Sequence, residues 1–225
     1  LHIVGSPAST LILERDSADG TAISSVVLKD GSDDQVRISS TDSKLRLETG
    51  SGNDVRMLID SDGKVGIGTE DPDAPLHIVD AGTADMLRLE VTDNGGSNSP
   101  DLTLYRNSAS PAANDNIGVL KFRGQHSGGG TKDYANIQGV IVDPTNTSED
   151  SKIDFSVRKS GALESRMEVG PDKVEVSSTT GGVVMPRMTT TQRNAIASPT
   201  NGEMVYDTDL NKFYGYANSA WTALH

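Results

Sequence analysis

Apolar residues recur at every second position along much of this chain, in most cases with a polar or charged residue between them. The pattern holds at Leu11 and Leu13, Val36 and Ile38, Leu45 and Leu47, Leu87 and Leu89, and Leu102 and Leu104. It holds again at Ile153, Phe155 and Val157 and at Val174 and Val176. A period of two puts alternate side chains on opposite faces of a strand, one wet and one dry. Turn signals separate these runs: Asp-Gly at Asp19, Asp30 and Asp62, Asn-Gly at Asn94, and Gly-Pro-Asp at Gly170. Short, closely spaced strands with few helical windows predict an all-β architecture. One segment departs from the period. Met188–Gly202 carries threonines suited to a helix N-cap, then a run from Gln192 to Ala197, then Pro199 as a stop. It predicts one short helix of about two turns near the C-terminus. Glu203–Leu224 then reads as three strands joined by turns at "DTDLNK" and "ANSA".

The pattern also repeats. Leu1-His2-Ile3-Val4 returns as Leu76-His77-Ile78-Val79, and each copy leads into a similar run, Thr10–Gly20 in the first and Asp85–Gly95 in the second. The ends match too: Val55–Gly68 resembles Ser165–Ser177, with Arg56-Met57 in register with Arg166-Met167. The expected organisation is a first β unit over 1–75, a second and longer one over 76–180 with an insertion, and a C-terminal module over 181–225 that combines the helix with a small meander. Gly66 and Gly68 alternate with Val65 and Ile67. Small residues on one face of a strand admit the close approach of another backbone.

Composition changes the picture in one respect. Hydrophobic residues make up 34% of the 225 and aromatics 4%, against roughly 45–50% apolar, glycine included, in a typical globular domain. The strand pattern argues against disorder, so the expectation is that neighbouring repeats or subunits cover faces that one chain leaves open. The net charge of −12 argues against nucleic acid or an anionic membrane as partner. No run approaches the ~18 apolar residues of a membrane helix, so no membrane insertion is expected. The chain has no cysteine, which removes disulfides and thiolate chemistry. It begins at Leu1 without a methionine, and a portion of a longer protein is expected.

Candidate chemistry is sparse. His2, His77, His126 and His225 form no metal-ligand spacing, although His2 and His77 are equivalent in the repeat and a trimer would bring three copies of each together. Asp60–Gly63 lacks the further glycine and glutamate of a calcium loop and reads as a tight turn. Gly66–Thr69 lacks the third glycine and the helix of a dinucleotide fingerprint. The many carboxylates leave a glycosidase pair open, and no Ser or Thr has a visible histidine partner. No catalytic residue, metal site or cofactor is assigned, and the protein is read as a non-enzyme. Tyr206, Tyr214, Tyr216 and Trp221 cluster near the C-terminus. They are read either as the core of a small module or as rings exposed for stacking on a sugar or a receptor.

Two stretches carry a resemblance. "GKVGIGTEDPDAPLHIV" (Gly63–Val79) resembles a short "VGIGT" unit of bacteriophage tail-fibre and related virion appendage proteins, also found in bacterial surface proteins. "VVMPRMTTTQRNAIASPTNGEMVYDTDLNKFYGYANSAWTAL" (Val183–Leu224) resembles a module near the C-terminus of such fibres. The resemblance implies an elongated, intertwined homotrimer of β repeats on the virion, a tail fibre or fibre-like appendage that attaches to the host surface. Its partners would be its own copies, other virion proteins, and a host cell-surface glycan or protein. Tyr214, Tyr216 and Trp221 are the candidate receptor contacts. The alternatives are a head fibre or decoration protein, a polysaccharide-degrading spike, and a bacterial surface adhesin.

Overall fold

The computed structural model describes residues 24–29, 35–50, 52, 54–82, 85–93, 95–96, 99–178 and 181–224. The first copy of the repeat start, the alternation at Leu11 and Leu13, the turns at Asp19, Asp30 and Asn94, and the terminal His225 lie outside the described residues. The chain forms two compact units, residues 1–101 and 102–225. Among the described residues the fold is all-β with one short helix.

The first unit carries a six-stranded sheet in sequential order: β1 (Ser24–Lys29), β2 (Gln35–Thr41), β3 (Lys44–Thr49), β4 (Asp54–Ile59), β5 (Val65–Ile67) and β6 (Leu76–Ile78). The β2–β3 connection is two residues, Asp42 and Ser43, with φ of 49° and 59°. Two successive positive φ values are the type I′ geometry that follows the right-handed twist of the strands. At the β4–β5 turn the Asp60 carboxylate accepts from the Asp62 and Lys64 N–H groups at 2.9 and 2.8 Å.

The last pair, β5 and β6, is parallel, so the chain must cross over between them. Parallel crossovers ordinarily need about a dozen residues or more; here residues 68–75 make the link as a tight arch over one face of the sheet. Glu70 in the arch pairs with Arg46 at 2.9 Å, and Pro72 is buried. Gly66 and Gly68 make the arch possible. A Cβ at Gly66 would lie 2.4 Å from the Thr69 carbonyl oxygen. At Gly68, where φ is +71°, a Cβ would lie 2.1 Å from the Val79 carbonyl oxygen. The close backbone approach expected from these glycines is therefore made by the same chain. Leu76-His77-Ile78, read from sequence as the opening of the second unit, is hydrogen-bonded into the first sheet.

The second unit carries a five-stranded antiparallel meander: β7 (Asn116–Gln125), β8 (Thr131–Asp143), β9 (Asp150–Lys159), β10 (Ala162–Val169) and β11 (Val174–Val176). The β9–β10 turn is again two residues, Ser160 and Gly161, with φ of 48° and 88°. The sequence predicted strands at Leu87 and Leu89 and at Leu102 and Leu104; the structure places neither pair in a strand. Alternation supplies two faces, but a strand also needs an edge to bond to, and neither segment joins a ladder in this chain.

The C-terminal sheet has the order β12 (Arg187–Met188), β13 (Met204–Asp207), β14 (Lys212–Ala217) and β15 (Ala220–Ala223). The last three are the meander expected from sequence. β12 joins β13 in parallel and was not foreseen, because two residues carry no periodicity. The helix α1 spans Thr190–Asn194, earlier and shorter than the predicted Gln192–Ala197. Thr189 is its N-cap and Gln192 reaches back to the Thr189 N–H in a capping box, so Gln192 belongs to the first turn rather than starting the helix.

Candidate functional site

The register of the first sheet lines up one apolar row across all six strands: Val26, Ile38, Leu47, Met57, Ile67 and Ile78. A second row, Leu45, Ile59, Val65 and Leu76, runs beside it. Both rows are uncharged. The opposite face holds the polar side chains, and it is the covered one. There Ser39 donates to the Glu48 carboxylate at 3.0 Å, and both are buried. Leu58 on this face is fully buried. The apolar face stays open, with Ile38 46% and Leu47 39% exposed.

The second sheet repeats the arrangement. Leu120, Ile137, Phe155, Met167 and Val176 form one complete row, and Gly118, Gly139, Ile153, Val169 and Val174 form the next. Its other face carries ion pairs, Lys152 with Glu168 at 2.7 Å and Arg123 with Asp133 at 2.7 Å. The Arg123 side chain holds the Asp133 carboxyl below its ordinary value. The apolar face is again open: Leu120, Ile153, Val174 and Val176 are exposed. Gly118 and Gly139 are ladder neighbours and leave a notch, into which Leu104 packs; a Cβ at Gly118 would lie 2.7 Å from the Leu104 Cβ. Arg106 anchors this strap through Asp115 at 2.9 Å and the Asn116 carbonyl at 3.3 Å. Among the described aliphatic, aromatic and methionine residues only Leu58, Val140 and Val205 are buried. Leaving both apolar faces in water forfeits about 25 cal/mol for every Å².

The two sheets share a further local device. Arg56 and Arg166 are each the extra residue of a β-bulge, between Leu47 and Glu48 in the partner-strand register and between Ser165 and Met167 respectively. Each arginine pairs with the acid two residues before it, Asp54 at 3.0 Å and Glu164 at 2.6 Å. Each offers its carbonyl to the next strand's end, to the Gly68 N–H at 3.1 Å and the Ser177 N–H at 3.0 Å. The Arg-Met correspondence seen in the sequence thus marks the same bulged hairpin twice.

The C-terminal module is organised around one buried charge. Asp207, fully buried, accepts from the Thr190 hydroxyl at 2.8 Å and from the Asp209 and Leu210 N–H groups at 3.0 and 3.1 Å. Arg193, also buried, meets it at 3.1 Å. Burial pushes the Asp207 carboxyl up, but the hydrogen bonds from Thr190, Leu210 and Asp209 and the Arg193 charge outweigh it and hold the group below its ordinary value. The pair ties α1 to β13. Neither residue was singled out from sequence: "DTDL" shows the turn, but nothing local shows an arginine of α1 reaching it.

The aromatic residues read as candidate receptor contacts occupy different places in this module. Tyr214 lies under the Arg193 guanidinium, 3.7 Å from its ring centre. Tyr216 and Trp221 form a cross-strand pair, edge to face at 5.2 Å, and both are half-buried. Tyr206 packs on Phe213 at 5.1 Å beside an open groove of about 310 Å³ lined by Val183, Val184, Met185 and Arg187. His77 hydrogen-bonds the Asp73 N–H at 3.4 Å, and no group of three potential metal ligands occurs among the described residues. No helix among them is long and apolar enough to cross a membrane.

No curated protein matches the chain. Residues 168–225 match the family described as phage tail like trimerisation region. That segment takes in the end of β10, all of β11 and the C-terminal module, so the apolar rows of the second sheet run into it through Val169, Val174 and Val176. The match supports a phage trimeric structural protein of the tail or fibre type, self-associating as a homotrimer.

Proposed function

We propose that this protein is a structural, non-enzymatic component of a fibre-like external appendage of a phage particle, which attaches the particle to the host cell surface as a homotrimer. One observation carries the reading. The second sheet presents an uncharged apolar face that its own chain crosses only at the Gly118 notch, through Leu104, with Leu120, Ile153, Val174 and Val176 left exposed, and that face runs into the segment matching a trimerisation region. Three copies meeting there supply each other's missing core. Attachment would then work by multivalency: three identical surfaces per appendage, and several appendages per particle, raise avidity without strong single contacts. Other virion proteins would hold one end, and a host glycan or surface protein the other. Tyr214, under Arg193, and Tyr216 and Trp221, half-buried against each other, are the rings we assign to such a contact.

The trimer is tested on an unheated denaturing gel, where a band near three times 23.7 kDa is expected and a lone 23.7 kDa band under gentle, non-denaturing sizing as well would end the proposal. Attachment is tested by binding of the labelled trimer to host cells and its competition with intact particles. Incubation with host surface polysaccharide, followed by sizing of the sugar, tests the non-enzymatic reading: shortening of the polymer would make the protein a degrading spike.

A further inference from the structure

The segment that matches a trimerisation region ends well short of the first sheet, which lies at residues 24–78. We propose that the apolar face of that first sheet is a second self-contact surface, packed against the same face of the other two copies and separate from residues 168–225. The inference rests on the trimer reading and says where else the copies touch.

Three features point to a copy of this chain as the occupant. The row of Val26, Ile38, Leu47, Met57, Ile67 and Ile78 crosses every strand without a charge, so it offers nothing to an ionic partner. On the other face the chain's own arch over residues 68–75 covers part of the sheet through the Arg46–Glu70 pair, and Ser39, Glu48 and Leu58 are buried, so the apolar face is the more open of the two. The second sheet has the same plan, an uncharged row across all its strands and the same bulged Arg-Met hairpin, and its β11 lies within the trimerisation match. Two sheets built alike in one polypeptide present like faces to like neighbours once one of them has trimerised.

Area sets the manner of association. The exposed apolar side chains of this face leave roughly 600 Å² open, at the top of the range for the largest patch on a monomer. That falls short of the about 800 Å² per partner of a stand-alone interface, and here it is divided between two neighbours. The face therefore assembles because the C-terminal segment holds three copies at high effective concentration, not by its own affinity.

The absence of cysteine allows a direct test in the full-length chain. A Leu47→Cys variant places one thiol in the middle of the row. An Asp42→Cys variant places one at the exposed tip of the β2–β3 turn. Both are sized by light scattering to establish the trimer, then oxidised or treated with a short bis-maleimide and run on a denaturing gel. Around a three-fold axis three thiols join two at a time, so Leu47→Cys is expected to place up to about two-thirds of its chains in a covalent dimer, with little for Asp42→Cys. Ile38→Cys is the second variant, and the same outcome is expected. A trimer in which Leu47→Cys and Ile38→Cys link no more than Asp42→Cys overturns the second surface and leaves the C-terminal trimer standing. A parent chain that is monomeric by scattering overturns both.

Discussion

Phe122 provides the sharpest test of the open apolar faces. It lies on the apolar side of the second sheet, in register with Ala135 and Val157, and is 56% exposed in the single chain. An aromatic side chain carries about 150–250 Å², so roughly 110 Å² of Phe122 remains in water; at about 25 cal/mol per Å² its burial is worth about 3 kcal/mol per chain. Three chains make that about 8 kcal/mol in the assembly, or roughly a million-fold in the trimer dissociation constant. Phe122→Ser removes this term. If the ring instead stays in water, the substitution is a surface change worth within about 0.5 kcal/mol. The assay is sedimentation of parent and variant across a dilution series, with thermal unfolding at two protein concentrations to read the coupling between assembly and stability. The variant is expected to dissociate at concentrations where the parent is trimeric and to melt earlier, with the shift growing on dilution. A Phe122→Ser chain that matches the parent in oligomer distribution and midpoint at every concentration shows that this face meets no neighbour.

Other outcomes follow from local geometry. Gly68→Ala is expected to loosen the arch and release β6: its φ of +71° costs a side chain about 1–2 kcal/mol, before the overlap with the Val79 carbonyl, and faster amide exchange at Leu76–Ile78 reads it. Thr189→Ala removes the capping box and should cost about 1 kcal/mol, seen in the fluorescence of Trp221, the chain's one tryptophan. The Asp207 carboxyl titrates below its ordinary value of 3.8 when folded. Its contribution is therefore complete above that value and fades as pH falls from about 3.8 through the lower folded-state value, so the Trp221 signal should hold at neutral pH and change only in acid. Arg193→Met leaves Asp207 buried without its cation; the module should weaken at neutral pH and lose its fold at higher pH than the parent.

The wet-and-dry alternation was legible residue by residue. Val36 and Ile38, Leu45 and Leu47, Ile153 to Val157, and Val174 and Val176 all lie in strands, because a strand's two faces are written directly in its period. The thin apolar content was equally direct, and only three described aliphatic, aromatic or methionine residues are buried. Where the reading went astray, pairing was the reason. Leu87 and Leu89 have the alternation of a strand, yet join no ladder in this chain; a period of two says nothing about whether an edge is at hand. The two residues of β12 have no period at all, and become a strand because the Pro186 carbonyl and Met188 carbonyl accept from Tyr206 and Thr208 at 2.8 Å each. In the C-terminal module the aromatic cluster could be seen, but not that Arg193 would sit over Tyr214, since that contact joins a helix to a strand on the far side of a turn.

By itself the sequence determined that this chain makes strands with one dry face, that turns fall at Asp62, Gly170, "DTDLNK" and "ANSA", and that it has too little apolar content to close its own core. These are local properties, set by alternation, turn chemistry and composition. Only the tertiary structure decided which face is left open. The register aligns Val26 with Ile38, Leu47, Met57, Ile67 and Ile78 in one row, and the arch over residues 68–75 lies on the polar side, at Arg46 and Gly66, rather than on the apolar one. Register is the cause: shifting one strand by a single residue would turn every one of its side chains to the other face, and no stretch of sequence taken alone states which neighbour it will meet.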